Sequence, residues 1–251
     1  MTLTGIELVE DRTQASRCDV GFLTLRRLVV RNIYSGGRRS APYPCDVMQR
    51  PGSDAVVAVL FERSPTGVRV LLREAPRVPI YLRRENSYVH PDPREYLSIL
   101  EVVAGLVEAG DASGPDGLRA RAAIESFEES GLEIRDEAFA PLGGETFASP
   151  GVTDEKLFFC AAEAPIKDAG GGHGDGSVME EWGVMHCIDL DQAIRRCRLG
   201  EIPDMKTEVA LLRLCDHVGY LPQLRCFVSE LPEKLRARYQ SLGVSSGESQ
   251  A

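Results

Sequence analysis

The chain is predicted to fold as an α+β domain, in the form of an α/β/α sandwich, with a small antiparallel β-domain before it. Two observations predict this fold class. Segments typical of strands and of helices are mixed along the chain, without the regular βαβ alternation of a parallel sheet. The early part of the chain is rich in strand-like sequence and is expected to form a small sheet of its own.

The N-terminal β-rich part is expected to cover residues 1–50. Residues 21–34 alternate and are rich in β-branched side chains, as a strand is. The sequence SGGRRS then marks a turn, and residues 43–50 suggest a return strand. Because so small a segment cannot bury a core alone, it is expected to pack against another chain in a homodimer.

The main domain is expected to cover residues 51–230. Strands are predicted at 54–62 and 68–74, joined as a hairpin by RSPTG, and then at 97–111, 156–164 and 182–190. Helices are predicted at 118–130, 189–200 and 204–218. Residues 79–95 and the glycine-rich segment 167–181 are expected to form loops. Residues 231–251 are expected to hold the end of a C-terminal helix and a disordered tail.

Charge and composition exclude several classes of function. The 251 residues carry a formal net charge of −9, with a pI of about 5.1, whereas nucleic-acid binding favours a basic face. No run of 18 apolar residues predicts a membrane span, and residues 1–20 lack the pattern of a secretory signal. The seven cysteines form no C-x-x-C pair, so we expect thiols in a reducing cytoplasm, not zinc ligands or disulfides.

Residues 122–134, AAIESFEESGLEI, place three carboxylates on one side of a predicted helix. At about 100° per residue, Glu125 and Glu129 lie about 40° apart around the axis, and Glu128 lies about 60° to the other side. Like charges at these spacings each cost a few tenths of a kcal/mol, and Arg121 offsets only part of that. A solvated acidic face is one interpretation. The other is a divalent-cation site, because hard cations bind clustered carboxylate oxygens.

The surroundings of the three glutamates resemble the Nudix box, G-x5-E-x7-R-E-U-x-E-E-x-G-U, in which U is apolar. In GLVEAGD…IESFEESGL, Gly105 stands at the first glycine, Asp111 at the first acidic position and Gly131-Leu132 at the end. The three glutamates occupy E-x-x-E-E. The resemblance extends over roughly residues 20–225 and implies a loop–helix–loop that holds a divalent metal against a pyrophosphate.

The chain departs from the box in four ways. Asp111 replaces a glutamate, Ile124 stands at the arginine position and Ser126 stands at an apolar position. The segment before the helix is also five residues too long, with ASGPDG as the insertion. The family's arginine steadies the acidic groups, and here Arg121 or Arg119 is expected to replace it.

Further segments resemble the ADP-ribose pyrophosphatase branch of this family. ILEVVAGLVEAGD resembles a strand and turn in which the carbonyl at the Ala104 position is also a metal ligand. VLLREAPRVPI resembles a strand with a phosphate-binding arginine, which implies Arg77. We expect no buried ion pair at Arg77. FASPGVTDEK, with Pro150, Gly151 and Glu155, resembles a segment of the substrate cleft, and GEIPDMKTEVALLRL resembles the closing helix. The β-rich start resembles a domain exchanged between two subunits.

Some of these residues also have a purely structural interpretation. Pro150 and Gly151 suit an ordinary turn, Arg77 suits a surface arginine, and Glu155 suits a cap for the strand after it. Their shared order along the chain is what favours the functional interpretation.

The activity implied by the resemblance is hydrolysis of a nucleoside diphosphate sugar, with ADP-ribose giving AMP and ribose 5-phosphate. Mg²⁺, with Mn²⁺ as a substitute, is expected at the three glutamates and the Ala104 carbonyl, and Gly105 is expected beside the substrate. The general base is expected to be Glu180 or Glu181, at the end of the glycine-rich loop. Glu155 is the competing candidate.

Two alternatives stay open. Another sugar nucleotide, such as GDP-mannose or UDP-glucose, is compatible with the same chemistry. A non-catalytic Nudix-fold module that senses a nucleotide is favoured by Ile124 and Asp111. The intact E-x-x-E-E argues against a sensor, because a sensor has no need of three mutually repelling carboxylates.

Overall fold

The computed structural model describes residues 21–64, 67–172 and 182–247. The strands are β1 Thr24–Val30, β2 Tyr43–Gln49, β3 Ala55–Ser64, β4 Gly67–Pro76, β5 Ser98–Glu101, β6 Val103–Leu106, β7 Ala140–Pro141, β8 Thr146–Phe147, β9 Lys156–Glu163, β10 Val184–Asp189, β11 Tyr220–Leu221 and β12 Cys226–Phe227. The helices are α1 Val78–Tyr81, α2 Pro115–Ser130, α3 Leu190–Arg198, α4 Met205–Val218 and α5 Glu233–Gln240.

A mixed sheet of eight strands forms the centre of the fold. Its continuous path runs β10–β4–β3–β9–β7, with β5 beside β4, β6 beside β3 and β8 beside β9. β3 and β9 run parallel, from Ala55 opposite Leu157 to Phe61 opposite Glu163, and the other pairs are antiparallel. Two antiparallel pairs, β1–β2 and β11–β12, lie outside this sheet.

Helices cover both faces of the sheet because its central strands are apolar on both faces. Along β3, Val57 and Val59 belong to the core shared with α3 and α4, whereas Val56 and Ala58 belong to the core shared with α2. Strands buried on both faces appear in sequence as continuous apolar runs, as in residues 54–62. The predicted mixture of strands and helices, with the sheet between helical layers, is therefore present.

The chain changes strand partners within one apolar run. β5 pairs with β4 over Ser98–Glu101, and β6 pairs with β3 over Val103–Leu106. The Val102 N–H lies between the two ladders and donates to Thr207 Oγ1 of α4 at 3.0 Å. The prediction of a single strand at 97–111 is therefore wrong, since two short strands with different partners replace it. This change of partner borders the cleft described below.

Other boundaries also differ from prediction. α2 begins at Pro115 instead of residue 118, because proline suits the first turn of a helix, so part of ASGPDG is helical. The predicted loop at 79–95 begins with α1 and a 3-10 turn at Leu82–Glu85. Gly131 ends α2 with φ 75°, the left-handed conformation predicted for it.

The β1–β2 hairpin is attached to the rest of the chain through β2. The Met48 N–H donates to the Val152 carbonyl at 2.8 Å, and Gln49 Nε2 donates to Asp154 Oδ2 at 3.0 Å. On β1, Val29 is 76% exposed. Because an isolated two-stranded hairpin is marginally stable in water, these hydrogen bonds help to hold it, and its expected contact with another chain stays a prediction.

The six described cysteines are all free thiols. Burial raises the pKa of Cys160, Cys197 and Cys215 to about 12, so these thiols stay protonated at neutral pH. These three agree with the prediction of buried thiols, while Cys18 lies outside the described residues. Among the described helices, none has the length and apolar character needed to cross a bilayer.

Candidate active site

A cleft of about 640 Å³ lies where β6 meets α2 and the start of α4. Four cationic and six anionic side chains line it: Arg50, Arg77, Arg121, Lys206, Glu101, Glu108, Glu125, Glu128, Glu155 and Asp204. Of the residues predicted from sequence, the cleft collects Arg77, Ala104, Gly105, Glu125, Glu128 and Glu155. These come from four separate parts of the chain, so the fold brings most of the predicted site together.

The other predicted residues lie elsewhere. Glu129 is a buried residue of α2 and is not among the residues that line the cleft. Pro150 and Gly151 are exposed, in the turn that docks against β2, and neither lines the cleft. Glu180 and Glu181 lie outside the described residues.

The acidic face of α2 is unfavourable within the helix itself. Glu125, Glu128 and Glu129 lie in the last two turns, near the negative end of the helix dipole, and the last turn has no basic residue. Glu125 and Glu129 are also buried, with only 8% and 7% of their surface exposed. Such carboxylates require positive charge from outside the last turn or from a bound cation.

Arg121, one turn upstream of Glu125, supplies part of this charge. Its Nε and Nη2 donate to Asp111 Oδ2 and Oδ1 at 3.0 and 2.7 Å. Its Nη2 lies 3.2 Å from Glu108 Oε2, and its Nη1 lies 3.7 Å from Glu125 Oε1. The hydrogen bonds from Arg121 hold the pKa of Asp111 below its usual range. Arg121 therefore has the contacts expected of the box arginine, whereas Arg119 forms its ion pair at the exposed start of α2.

Arg73 of β4 supplies charge from the sheet and was not among the residues predicted from the sequence. Its guanidinium is buried, with Nη1 3.6 Å from Glu129 Oε1. Gly183 packs against this guanidinium, and the Gly172 N–H donates to the Glu129 carbonyl at 2.9 Å. The residues that flank segment 173–181 on both sides therefore lie next to this pair. The sequence signal for this pair was a charged residue, Arg73, inside the apolar run VRVLLRE. Arginine is rarely buried without a partner, so an arginine in a buried strand predicts an ion pair.

Gly105 allows α2 and β6 to approach each other closely. A β-carbon at this position would lie 1.7 Å from Glu125 Cδ and 1.9 and 2.1 Å from its two carboxylate oxygens. The backbone of Gly105 does not have a positive φ, so space and not conformation requires glycine here. The motif glycine therefore places the Glu125 carboxylate directly against β6, beside Ala104.

A second ion cluster surrounds Glu101 of β5 at the wall of the cleft. Glu101 accepts from Arg77 Nε and Nη2 at 2.6 and 3.1 Å and also from Lys206 Nζ. Burial by itself would raise the pKa of Glu101, but Lys206 and Arg77 together hold it below its usual range. The expectation that Arg77 has no buried ion pair is wrong, because Glu101 is buried and anchors it. Glu101, like Arg73, is a charged residue within an apolar run, ILEVVAGL.

Glu155 forms an ion pair with Arg50, which follows β2. The Arg50 guanidinium also donates to the Ser53 carbonyl at 3.4 Å. Because both partners line the cleft, this pair connects the N-terminal hairpin to the site. Glu155 therefore faces the cleft as a salt-bridged carboxylate.

The donor atoms around the cleft are of the type that a hard divalent cation prefers. The carboxylates of Glu125 and Glu128 share the cleft with Ala104 of β6, and Mg²⁺ favours oxygen ligands. Within residues 21–64, 67–172 and 182–247, however, no three His, Cys, Asp or Glu side chains form a group placed to hold a metal ion. Binding of one ion by all three motif glutamates would therefore require the Glu129 side chain to reach the cleft that Glu125 and Glu128 line.

Comparisons with known proteins give one distant relationship. No protein-family model matches the chain. The ADP-ribose pyrophosphatase of Haemophilus influenzae is 26% identical over 182 residues, which cover 72% of this chain and 75% of that relative. This similarity suggests a Nudix-type relative and agrees with the branch that the sequence motifs resemble.

Proposed function

We propose that this protein is a metal-dependent pyrophosphohydrolase of nucleoside diphosphate sugars that converts ADP-ribose to AMP and ribose 5-phosphate. The observation that carries the proposal is the contact of Glu125 with Gly105 in the wall of a charged cleft. These two motif residues come from different elements, and their contact puts a buried carboxylate beside a strand backbone. The distant relative, named ADP-ribose pyrophosphatase, supports the substrate class.

Mg²⁺, or Mn²⁺ in its place, would be held by Glu125, Glu128, Glu129 and the Ala104 carbonyl. When bound, the metal supplies Lewis-acid chemistry, since it polarises a phosphoryl oxygen and acidifies the attacking water. The protein holds the ligands in position for this. α2 sets the carboxylates on one face, and Arg121 restrains the loop before the helix through its two bonds to the first acidic position.

Arg77 would bind a phosphate of the substrate. Its Nε and one N–H of Nη2 are directed to Glu101, and its side chain is 46% exposed at the cleft. The remaining N–H groups of the fork are then oriented for a phosphate oxygen. Glu101 fixes the direction of the guanidinium without itself needing to touch the substrate.

The general base would come from Glu180 or Glu181. The support for this choice is that Gly172 and Gly183, on either side of that segment, lie against Glu129 and Arg73. Glu155 remains the competing candidate, because it lines the cleft, although it is paired with a cation there.

The test is an assay of purified protein with Mg²⁺ and a panel of ADP-ribose, GDP-mannose and UDP-glucose, in which a coupled phosphatase releases phosphate from the products. We expect ADP-ribose to be hydrolysed, and we expect the activity to be lost in EDTA and in Glu125→Gln. Glu133→Gln, an exposed glutamate just after α2, is the matched control. Turnover of another sugar nucleotide alone would change the assigned substrate. Binding of ADP-ribose without turnover of any compound would favour the nucleotide sensor.

A further inference from the structure

The four cations of the cleft differ in how they are paired. Arg121 is buried and is held by its hydrogen bonds to Asp111, in the loop before α2. Arg50 is paired with a carboxylate of its own. Arg77 and Lys206, by contrast, share Glu101. This wall of the cleft therefore places two cations side by side, against Glu101 and the helix-capping carboxylate of Asp204, and paired cations suit the binding of an anion.

Lys206 has capacity for a further ligand. Its Nζ donates to Glu101 and, at 2.9 Å, to Asp204 Oδ2. Asp204 is also the N-cap of α4, where it accepts from the Thr207 N–H at 3.0 Å and from Thr207 Oγ1 at 2.6 Å. The positive end of the helix dipole offsets part of the Asp204 charge. An ammonium group has three N–H donors. Within the described part of the chain, the two bonds of Lys206 leave one donor for a ligand in the cleft.

The position of Lys206 is fixed by two adjacent contacts between the segment Glu101-Val102 and the first turn of α4. Val102, at the change of strand partner, donates to Thr207 of α4 and so ties the first turn of that helix to the sheet. Glu101, the residue before Val102, then holds Lys206 beside Arg77. The ammonium and the guanidinium therefore lie on the same wall although they come from opposite ends of the domain sequence.

We propose that Lys206 is a substrate-binding residue that contacts the diphosphate of the substrate together with Arg77. This inference rests on the proposed function and extends it to a residue outside the motif. A diphosphate offers several anionic oxygens, so it accepts from a compact ammonium and from a planar guanidinium at the same time. The excess of acidic side chains in the cleft makes a second cation valuable for holding such a ligand.

The test measures binding of inorganic pyrophosphate to metal-free protein by calorimetry, and KM for ADP-ribose with Mg²⁺. Lys206→Met removes the charge, Lys206→Arg retains it, and Lys234→Met on the exposed surface of α5 is the matched control. We expect Lys206→Met to weaken pyrophosphate binding about tenfold, or ~1.4 kcal/mol, and to raise KM by a similar factor while kcat changes less than about threefold. Lys206→Arg should recover most of the affinity, and Lys234→Met should match the wild type.

A second measurement needs no variant. In the wild-type protein, pyrophosphate should protect Lys206, but not Lys234, from acetylation by acetic anhydride, as measured by mass spectrometry. The proposal is overturned if Lys206 is modified equally with and without pyrophosphate, or if Lys206→Met lowers the Tm but leaves affinity and KM unchanged. Neither pyrophosphate measurement depends on turnover, so a protein that hydrolyses no sugar nucleotide would refute the proposed function without deciding the role of Lys206.

Discussion

Replacement of Gly105 by alanine tests the geometry of the cleft directly. The new β-carbon would lie 1.9 Å from the nearer Glu125 carboxylate oxygen, whereas ordinary van der Waals contact begins at 3.4 Å. The carboxylate carbon would be closer still, at 1.7 Å, so the carboxylate must retreat by about 1.7 Å. A misplacement of about 1 Å at a reacting centre costs on the order of 10²-fold in rate. We expect kcat/KM to fall at least about 100-fold, which corresponds to about 2.7 kcal/mol.

The same substitution should leave the protein folded. The displaced atoms are the far end of a flexible side chain, and Gly105 does not have a positive φ, so the overpacking should cost about 1–3 kcal/mol of stability. The assay is ADP-ribose hydrolysis with Mg²⁺, beside thermal unfolding followed by circular dichroism. Gly110→Ala is the control, since its β-carbon would meet no atom within 4 Å. If Gly105→Ala kept the kcat/KM of that control, the reasoning from the Glu125 contact would be refuted.

Four further predictions concern charge and assembly. Glu129→Gln should lose activity on the order of 10²-fold while it stays folded, and near-wild-type turnover in this variant would contradict the metal hypothesis. Arg77→Ala should lower kcat/KM roughly tenfold, about 1.4 kcal/mol. It should also lower the Tm by about 3 °C, because Glu101 loses one of its two cations; a lower Tm with unchanged kinetics would mean that Arg77 is only structural. The lowered pKa of Asp111 stabilises the fold above about pH 4, and this contribution is lost as the pH falls through the native pKa. The Tm difference between wild type and Asp111→Asn should therefore shrink in acid, and a difference that is constant from neutral pH to about pH 2.5 would exclude this account. Light scattering should show a homodimer that uses residues 20–50, whereas a mass of 27.5 kDa at all concentrations would reject it.

Local sequence was sufficient for the helix that carries the site. The positions of Glu125, Glu128 and Glu129 around the helix axis depend only on helical periodicity. Gly131 marks the end of the helix because glycine adopts the left-handed conformation without strain. The apolar runs likewise predicted the central strands. The boundaries were less predictable where tertiary contacts decide them, as at Val102, whose N–H is satisfied by Thr207 of α4.

The sequence by itself determined which carboxylates lie on one side of the helix, and the motif placed Gly105 beside the substrate. That Gly105 lies against Glu125 was decided by the packing of α2 on β6. Only the tertiary structure decided which cations meet those carboxylates. Arg73 reaches Glu129, and Lys206 reaches Glu101, from positions far away in the chain. These pairs depend on which strands are neighbours, on the register of the strands and on the face of the sheet from which each side chain projects. Such non-local pairing follows from the burial of the whole sheet, so no local pattern of residues specifies it.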